Sequence, residues 1–379
     1  MPASSQSNQA VVIDQTGLDI LVRTLSASGH DVLGPVQRDG AIVFEEIRKS
    51  DDLARGWVED QDGGYYRLER KGNAFFSHTT GPSSWKRILH PPRQKLWRTK
   101  QGRDGPRIIA EPVVAPKYAF LGVRACDLAA IAIQDKVFLE GPYKDQHYAA
   151  RREALFIVAV NCARASRTCF CASMGSGPRA ETGFDIALTE IVEGSKFVVE
   201  AGSDKGIALL NDLPTIEATD EDMKIARDMA ERTRAQMGRH LETEGLPEML
   251  RENPSHPRWD EVAQRCLNCA NCTMVCPTCF CTTVDEESAI DGSETARVSR
   301  WASCFTTEFS HIHGGAVRTG AAARYRQWMT HKLSSWVDQF GQMGCTGCGR
   351  CITWCPVGID ITEEAAAIRE TVKGETDVD

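Results

Sequence analysis

No apolar run in this sequence approaches the roughly 20 residues needed to cross a bilayer, so no membrane span is expected. Met1–Asn8 is polar, with neither a basic start nor an apolar core. It does not read as a signal peptide, and the expected compartment is a reducing cytoplasm. Positive charge is in short supply: 44 Lys and Arg stand against 52 Asp and Glu, a net −8. With a pI near 5.7, broad nucleic-acid binding is excluded, because that needs a basic face for the phosphates. A dinucleotide fingerprint is also missing. Gly175-Ser176-Gly177-Pro178 lacks the third glycine and the strand-to-helix setting of such a loop. No nucleophile–base arrangement stands out, so no catalytic residue is assigned.

Cysteine is what the chain does have, 15 among 379 residues. They are clustered rather than scattered, which in a chain without a secretory segment points to metal rather than to disulfides. Cys345-Thr346-Gly347-Cys348-Gly349-Arg350-Cys351-Ile352-Thr353-Trp354-Cys355-Pro356 reads C-x2-C-x2-C-x3-C-P. That is the bacterial ferredoxin run for a 4Fe–4S cluster. Cys266, Cys269, Cys272, Cys276 and Pro277 repeat it. Three cysteines at two-residue gaps can wrap one cluster, while the fourth points away and serves the other cluster. Cys266, Cys269, Cys272 and Cys355 are therefore assigned to one cluster. Cys345, Cys348, Cys351 and Cys276 are assigned to the second. The proline after each fourth cysteine ends the turn, and Gly344, Gly347 and Gly349 allow backbone to approach sulfur. Paired C-x2-C motifs can also make a zinc ribbon. Zinc takes only four ligands, however, and these runs supply eight cysteines, each run closed by a proline.

The expected architecture is α+β: an N-terminal and central α/β region followed by a mostly helical dicluster ferredoxin domain. Residues 1–110 read as an N-terminal α+β region that opens with a disordered tail over 1–10. A helix is expected over Leu18–Ser28 and a strand at Ala41–Phe44, with strand-like pieces at Tyr65–Leu68 and Ala74–Phe76. Trp85–Leu89 reads as helical, and Lys95-Leu96-Trp97 leads into a charged loop. In the central α/β region, 111–214, Tyr118–Val123 and Leu155–Val160 are fully apolar strands around a helix at Asp127–Phe138. This is the pattern of a parallel β-α-β unit. Ile186–Ile191 and Lys196–Glu200 form a hairpin around Glu193-Gly194. Residues 215–257 are a charged helical connector or solvated helix, ending at Pro254 and Pro257. The dicluster domain, 258–379, holds an insert between its two runs, with helices expected at Thr295–Phe309 and Thr319–Phe340.

Four more cysteines follow the two apolar strands: Cys126, Cys162, Cys169 and Cys171. The strand ends of an open α/β sheet are where such sheets build sites. These thiols are candidates for a third cluster, with Asp127 as an alternative or extra ligand, although C-x6-C-x-C is not a standard spacing. The bland alternative is buried free cysteines acting as small hydrophobes. Arg124, Arg164 and Arg167 would offset thiolate charge there, or else lie at the surface. Cys279 and Cys281 repeat the Thr-Cys-Phe-Cys pattern of Cys169 and Cys171, and are read by default as packing or sulfur hydrogen bonding beside the first run, with ligation of another cluster as the alternative. Cys304 is read as packing in the insert, and His311 and His313, a pair that could bind metal or carry protons, as flanking a structural turn near the clusters.

Taken together, these motifs resemble the iron–sulfur β subunit of soluble NiFe hydrogenases and sulfhydrogenases, a family related to the A subunit of anaerobic sulfite reductase. The resemblance rests on Asp51-Asp52-Leu53, Gly63-Gly64-Tyr65-Tyr66-Arg67-Leu68 and Gly81-Pro82-Ser83-Ser84-Trp85-Lys86. It continues through Val123-Arg124-Ala125-Cys126-Asp127, Cys169-Phe170-Cys171-Ala172-Ser173-Met174-Gly175 and Cys276-Pro277-Thr278-Cys279-Phe280-Cys281 to the final run. It implies a non-catalytic electron-transfer subunit carrying two 4Fe–4S clusters and a third at the central cysteines. The implied partners are a flavin-containing NAD(P)H-oxidoreductase subunit and the small and large subunits of a NiFe hydrogenase. The alternatives are a subunit of an anaerobic sulfite or sulfur reductase, or a non-redox scaffold stapled by metal.

Overall fold

The computed structural model of this chain describes residues 10–376. The polar start, including all of the expected tail but Ala10, lies outside the described residues. Strand β1 (Val11–Asp14) runs into helix α1 (Gln15–Ala27), which begins earlier than expected. Asp14 caps it, accepting from the Gly17 amide at 2.8 Å. Strands β2 (Asp31–Arg38) and β3 (Ala41–Glu46) form a hairpin, and β4 (Trp57–Asp62) and β5 (Tyr65–Arg70) form a second. Ala74–Phe76, expected as strand-like, is not a strand. The Phe75 and Phe76 amides instead donate to the buried Glu190 carboxylate at 2.7 and 2.8 Å, which takes the donors a ladder would need.

After the short helix α2 (Lys86–Leu89) comes a third hairpin, β6 (Arg93–Gly102) and β7 (Gly105–Ala110). Lys95-Leu96-Trp97 thus lies inside a strand rather than at the start of a loop. Next are β8 (Tyr118–Val123), α3 (Ala125–Leu139), α4 (Gln146–Glu153) and β9 (Phe156–Val160). β8 and β9 are parallel, as the two apolar runs require. β10 (Ile186–Ile191) and β11 (Lys196–Ala201) are the expected hairpin, followed by α5 (Asp204–Asn211) and the two-residue β12 (Ile216–Glu217).

One eight-stranded mixed sheet results, in the order β12-β1-β11-β10-β9-β8-β2-β3. Strands from residues 1–110 and from 111–214 share it. Its central strands are buried on both faces, which is why they read as unbroken apolar runs. Ala119, Leu121, Val158 and Val160 face one core with Leu18, Leu21 and Leu25 of α1. Phe120, Val123, Ile157 and Ala159 face the other, with Trp85, Leu128 and Tyr148.

Helix α6 (Asp220–Ala235) is acidic in its first turn, where Thr219 and Asp222 make a capping box. It is not a solvated connector, because Ala226, Met229, Ala230 and Thr233 are buried along one face. Helices α7 (Leu246–Glu252) and α8 (Arg258–Arg265) also enter a core, through Leu246, Leu250, Trp259 and Val262. α9 (Asn271–Met274) carries Cys272.

The insert departs from expectation. Thr282–Ser288 and Glu294–Trp301 are strands, β13 and β14, so no helix occupies Thr295–Phe309. Ala296 and Val298 are buried at a period of two, which is strand spacing. β13 and β14 join β6 and β7 in a four-stranded sheet of order β13-β14-β6-β7. The other expected insert helix is present as α10 (Ala321–Thr330), a π-helical turn at His331–Ser335, and α11 (Trp336–Phe340). α12 (Arg350–Thr353) and α13 (Ile361–Thr376) complete the α+β architecture. Among the described residues, no helix is long and apolar enough to cross a membrane.

Candidate metal centres

The first cysteine run begins where α8 stops. Cys266 leaves the helix with extended backbone, and Asn268 and Ala270 take left-handed φ values of 52° and 65°. That reversal curls Cys266, Cys269 and Cys272 around one cavity. Cys355 joins them there, as do Cys351, Tyr325 and Trp328. Burial raises the Cys272 thiol well above its ordinary pKa, and the nearby Cys304, Cys266, Cys355 and Cys269 add to the shift. Cys355 and Cys351 of the second run thus both reach the cavity of the first.

The second run brings Cys345, Cys348 and Cys351 together with Cys276. Burial raises the Cys351 thiol, with Cys345, Cys348, Cys276 and Cys272 as its charged neighbours in that order. Cys351 and Cys272 therefore mark where the two groups adjoin. Gly347 and Gly349 have φ of 63° and 75°. A Cβ on Gly347 would lie 2.6 Å from the Phe170–Cys171 backbone, and one on Gly349 2.4 Å from the Thr168 carbonyl. Only glycine permits this contact. It presses the second run onto the loop carrying the central cysteines. Gly344 does a different job from that expected, lying against the Trp336 ring.

The central cysteines are brought together as well. Cys171 has Cys169, Cys162 and Cys348 as neighbours, and Cys126 has Cys171 and Cys348. Burial raises all four central thiols, Cys169 to about 11. Cys126, Cys171 and Cys348 pack as one buried group with Met237. Asp127 is occupied differently from the expectation that it could add a ligand. Both of its carboxylate oxygens accept from Arg350, at 2.8 and 3.1 Å. Arg124 donates to the Phe76 and His78 carbonyls at 2.9 and 2.6 Å and stands 3.9 Å from Cys162 Sγ. Arg164 pairs with buried Glu59 at 2.7 Å. Arg167 makes only long ion pairs with Asp60 and Asp62, at 4.0 and 3.8 Å, near the surface. His311 and His313 lie on an exposed two-stranded turn.

Two buried lysines and two orphaned donors complete the surroundings; of these the sequence singles out only Lys86, as the end of the Gly81–Lys86 motif. Lys332 Nζ stands 3.4 Å from Cys276 Sγ and bonds the Thr278 hydroxyl and the Gly344 carbonyl. A hydrogen bond from Cys279 pulls the Cys276 thiol well below its usual pKa; Lys332, Thr278 and Lys86 help, against burial. Lys86 Nζ donates to the Thr273, Met274 and Cys279 carbonyls. Tyr325 Oη and Trp328 Nε1 are buried, have no hydrogen-bond partner, and line the cavity of the Cys266 group. Arg350 was visible inside the second run, whereas Lys332 lies in a π-helical turn with no local sequence signal.

Do these residues fit iron–sulfur clusters? Among the described residues, no three His, Cys, Asp or Glu side chains converge closely enough to hold one metal ion. Tetrahedral zinc, with Zn–S near 2.3 Å, would draw its sulfurs to about 3.8 Å apart. A 4Fe–4S cube takes thiolate ligands, and cysteines are the donors gathered at each group. Orphaned O–H and N–H donors facing the cavity fit sulfur acceptors.

A family model for the 4Fe–4S dicluster domain matches residues 265–359. Sulfhydrogenase 2 subunit beta of Pyrococcus furiosus is 30% identical over 342 residues, covering 89% of this chain and 92% of that protein. No solved structure matches. Fold, cysteine groups and family match together define an iron–sulfur electron-transfer subunit of the 4Fe–4S class. The chain belongs to the sulfhydrogenase beta-subunit family.

Proposed function

We propose that this chain relays single electrons through three 4Fe–4S clusters. One is held by Cys266, Cys269, Cys272 and Cys355, the second by Cys345, Cys348, Cys351 and Cys276. The third is held by Cys126, Cys162, Cys169 and Cys171. Its partners are a flavin-containing NAD(P)H-oxidoreductase subunit and a NiFe hydrogenase module, in the cytoplasm. The observation that carries the reading is the continuity of the thiol groups. Cys272 adjoins Cys351, and Cys348 adjoins Cys126 and Cys171.

A bound 4Fe–4S cluster supplies reversible one-electron chemistry. The protein residues do the rest. The thiols must shed their protons to bind iron, so burial that raises them makes loading favour higher pH. Buried apolar residues, including Phe305 and Ile359, wall one side of the Cys266 group, while Cys269 is exposed on the other. Lys332 and Lys86 place positive charge beside Cys276, which favours the reduced, more anionic state of the cluster it serves. No group on the chain is assigned acid–base work.

Anaerobic affinity purification of the full chain with its bound partners tests the assignment. Nickel and flavin in the purified complex are the expected result. Sirohaem in place of nickel contradicts the hydrogenase assignment and turns the relay toward sulfite reduction.

A further inference from the structure

Cys279, Cys281 and Cys304 are used by none of the three groups above. The structure gathers them nonetheless. Cys279 and Cys281 follow Pro277 on the way into β13, and Cys304 lies just past the end of β14. The β13–β14 pairing closes this distance: the Ala302 amide donates to the Cys281 carbonyl at 2.8 Å. All three thiols line one cavity of about 430 Å³, with Lys332 in its wall. One water claims about 30 Å³ of liquid, so this is room for a group of many atoms.

The charge around the cavity is the second observation. Lys86 is 4% and Lys332 6% exposed. Among the described residues, neither pairs with a carboxylate: Lys86 meets three carbonyls and the Trp301 ring, and Lys332 meets Cys276, Thr278 and Gly344. Two buried ammonium groups need nearby negative charge. The cluster assigned to Cys276 answers part of this. Lys86 and Lys332 also face Cys281, so an anionic group on the second thiol set supplies the rest.

We propose that Cys279, Cys281 and Cys304 hold a further 4Fe–4S cluster, with one iron left facing the cavity. Three Fe–Sγ bonds form as three thiol protons leave to water. The site adjoins both ferredoxin groups, because Cys304 neighbours Cys272 and Cys281 neighbours Cys276. One electron then moves from a reduced neighbouring cluster, which is oxidised by one as the new cluster is reduced by one. Cluster binding here stands on its own residues, while its electron supply rests on the proposed relay. Three cysteines would leave one iron of such a cube without a cysteine ligand, a position that four-cysteine clusters lack, and His331 also lines the cavity.

The test compares iron and acid-labile sulfide on the anaerobically purified full chain, its Cys281→Ala/Cys304→Ala double variant, and Cys266→Ser. The double variant is expected to lose about four iron and four sulfide per chain, because each cluster carries four of each. The reduced-state EPR signal lost in Cys266→Ser stays present in it. Unchanged iron in the double variant overturns the proposal, as does zinc at the wild-type site. No loss in Cys266→Ser overturns the relay reading instead. Alkylation of the wild-type chain with peptide mapping covers a double variant that fails to fold. Cys281 and Cys304 protected until iron is chelated supports the site, and labelling of both at full iron content overturns it.

Discussion

Arg350 and Asp127 meet as a two-point ion pair with side chains 0% and 2% exposed, Nη1 to Oδ1 at 2.8 Å and Nη2 to Oδ2 at 3.1 Å. One partner sits inside the second cysteine run and the other beside Cys126. The pair therefore locks the dicluster domain onto the sheet that carries the central cysteines. Burial works to lower the Arg350 pKa, but Asp127 and Cys348 outweigh it and hold it above its usual value.

Asp127→Ala leaves a buried guanidinium without its partner, and a cost of about 3–5 kcal/mol is expected. A lower denaturant midpoint checks this. The joint replacement Asp127→Leu with Arg350→Met is expected to recover most of the loss, because both charges go together. Equal losses in the single and joint variants would show that the pair is not what holds the two parts.

Tyr325 offers a finer probe. Its hydroxyl lacks a partner and lines the Cys266 cavity. Donors to cluster sulfur raise the potential. Tyr325→Phe keeps the ring and removes the donor, so the potential of that cluster is expected to fall by about 40 mV. That equals about 1 kcal/mol for one electron. An EPR-monitored redox titration reads it, and an unmoved potential argues that the hydroxyl does not reach sulfur.

Lys332→Met removes a charge 3.4 Å from Cys276 Sγ. The cluster assigned to Cys276 is expected to become harder to reduce, on the order of 100–200 mV for a unit charge about 4–7 Å away at an effective dielectric near 20. Lys332→Arg is expected to keep most of the potential. The Tyr325-facing cluster serves as the internal control.

How much of this was legible beforehand divides by distance along the chain. The two cysteine runs are legible from local spacing, and the expectation that their fourth ligands cross rests on that spacing alone. The β8 and β9 runs are unbroken because both faces of the sheet are covered, and that too is local. The strand at Glu294–Trp301 is different, because it exists through pairing with Arg93–Gly102, far away in sequence. Its charged residues mask the period-two burial of Ala296 and Val298, so it reads as a helix. Asp127 shows the same limit at the site. Beside Cys126 it reads as a ligand, and only the fold reveals that Arg350 occupies it.

Acid stability supplies an independent check. Hydrogen bonds from Lys196 and Thr219 lower the Asp222 carboxyl from 3.8 to about 2. A depressed carboxyl stabilises the fold above its unfolded value and loses that stabilisation as pH falls through the folded value. Asp222→Asn is therefore expected to cost about 1 kcal/mol at neutral pH, the scale of a lost helix cap. The difference from the parent should shrink between pH 4 and pH 2. A difference independent of pH would mean that Asp222 acts through packing alone.

The central claim is tested most directly by metal analysis with EPR on the anaerobically purified chain. Relay through neighbouring clusters predicts at least about 12 iron per chain, matched one-for-one by acid-labile sulfide, since each of the three clusters carries four of each. On reduction, signals broadened by coupling between clusters are expected, and Cys266→Ser should remove one component. Zinc in place of iron, or iron without sulfide and no signal on reduction, would contradict the account.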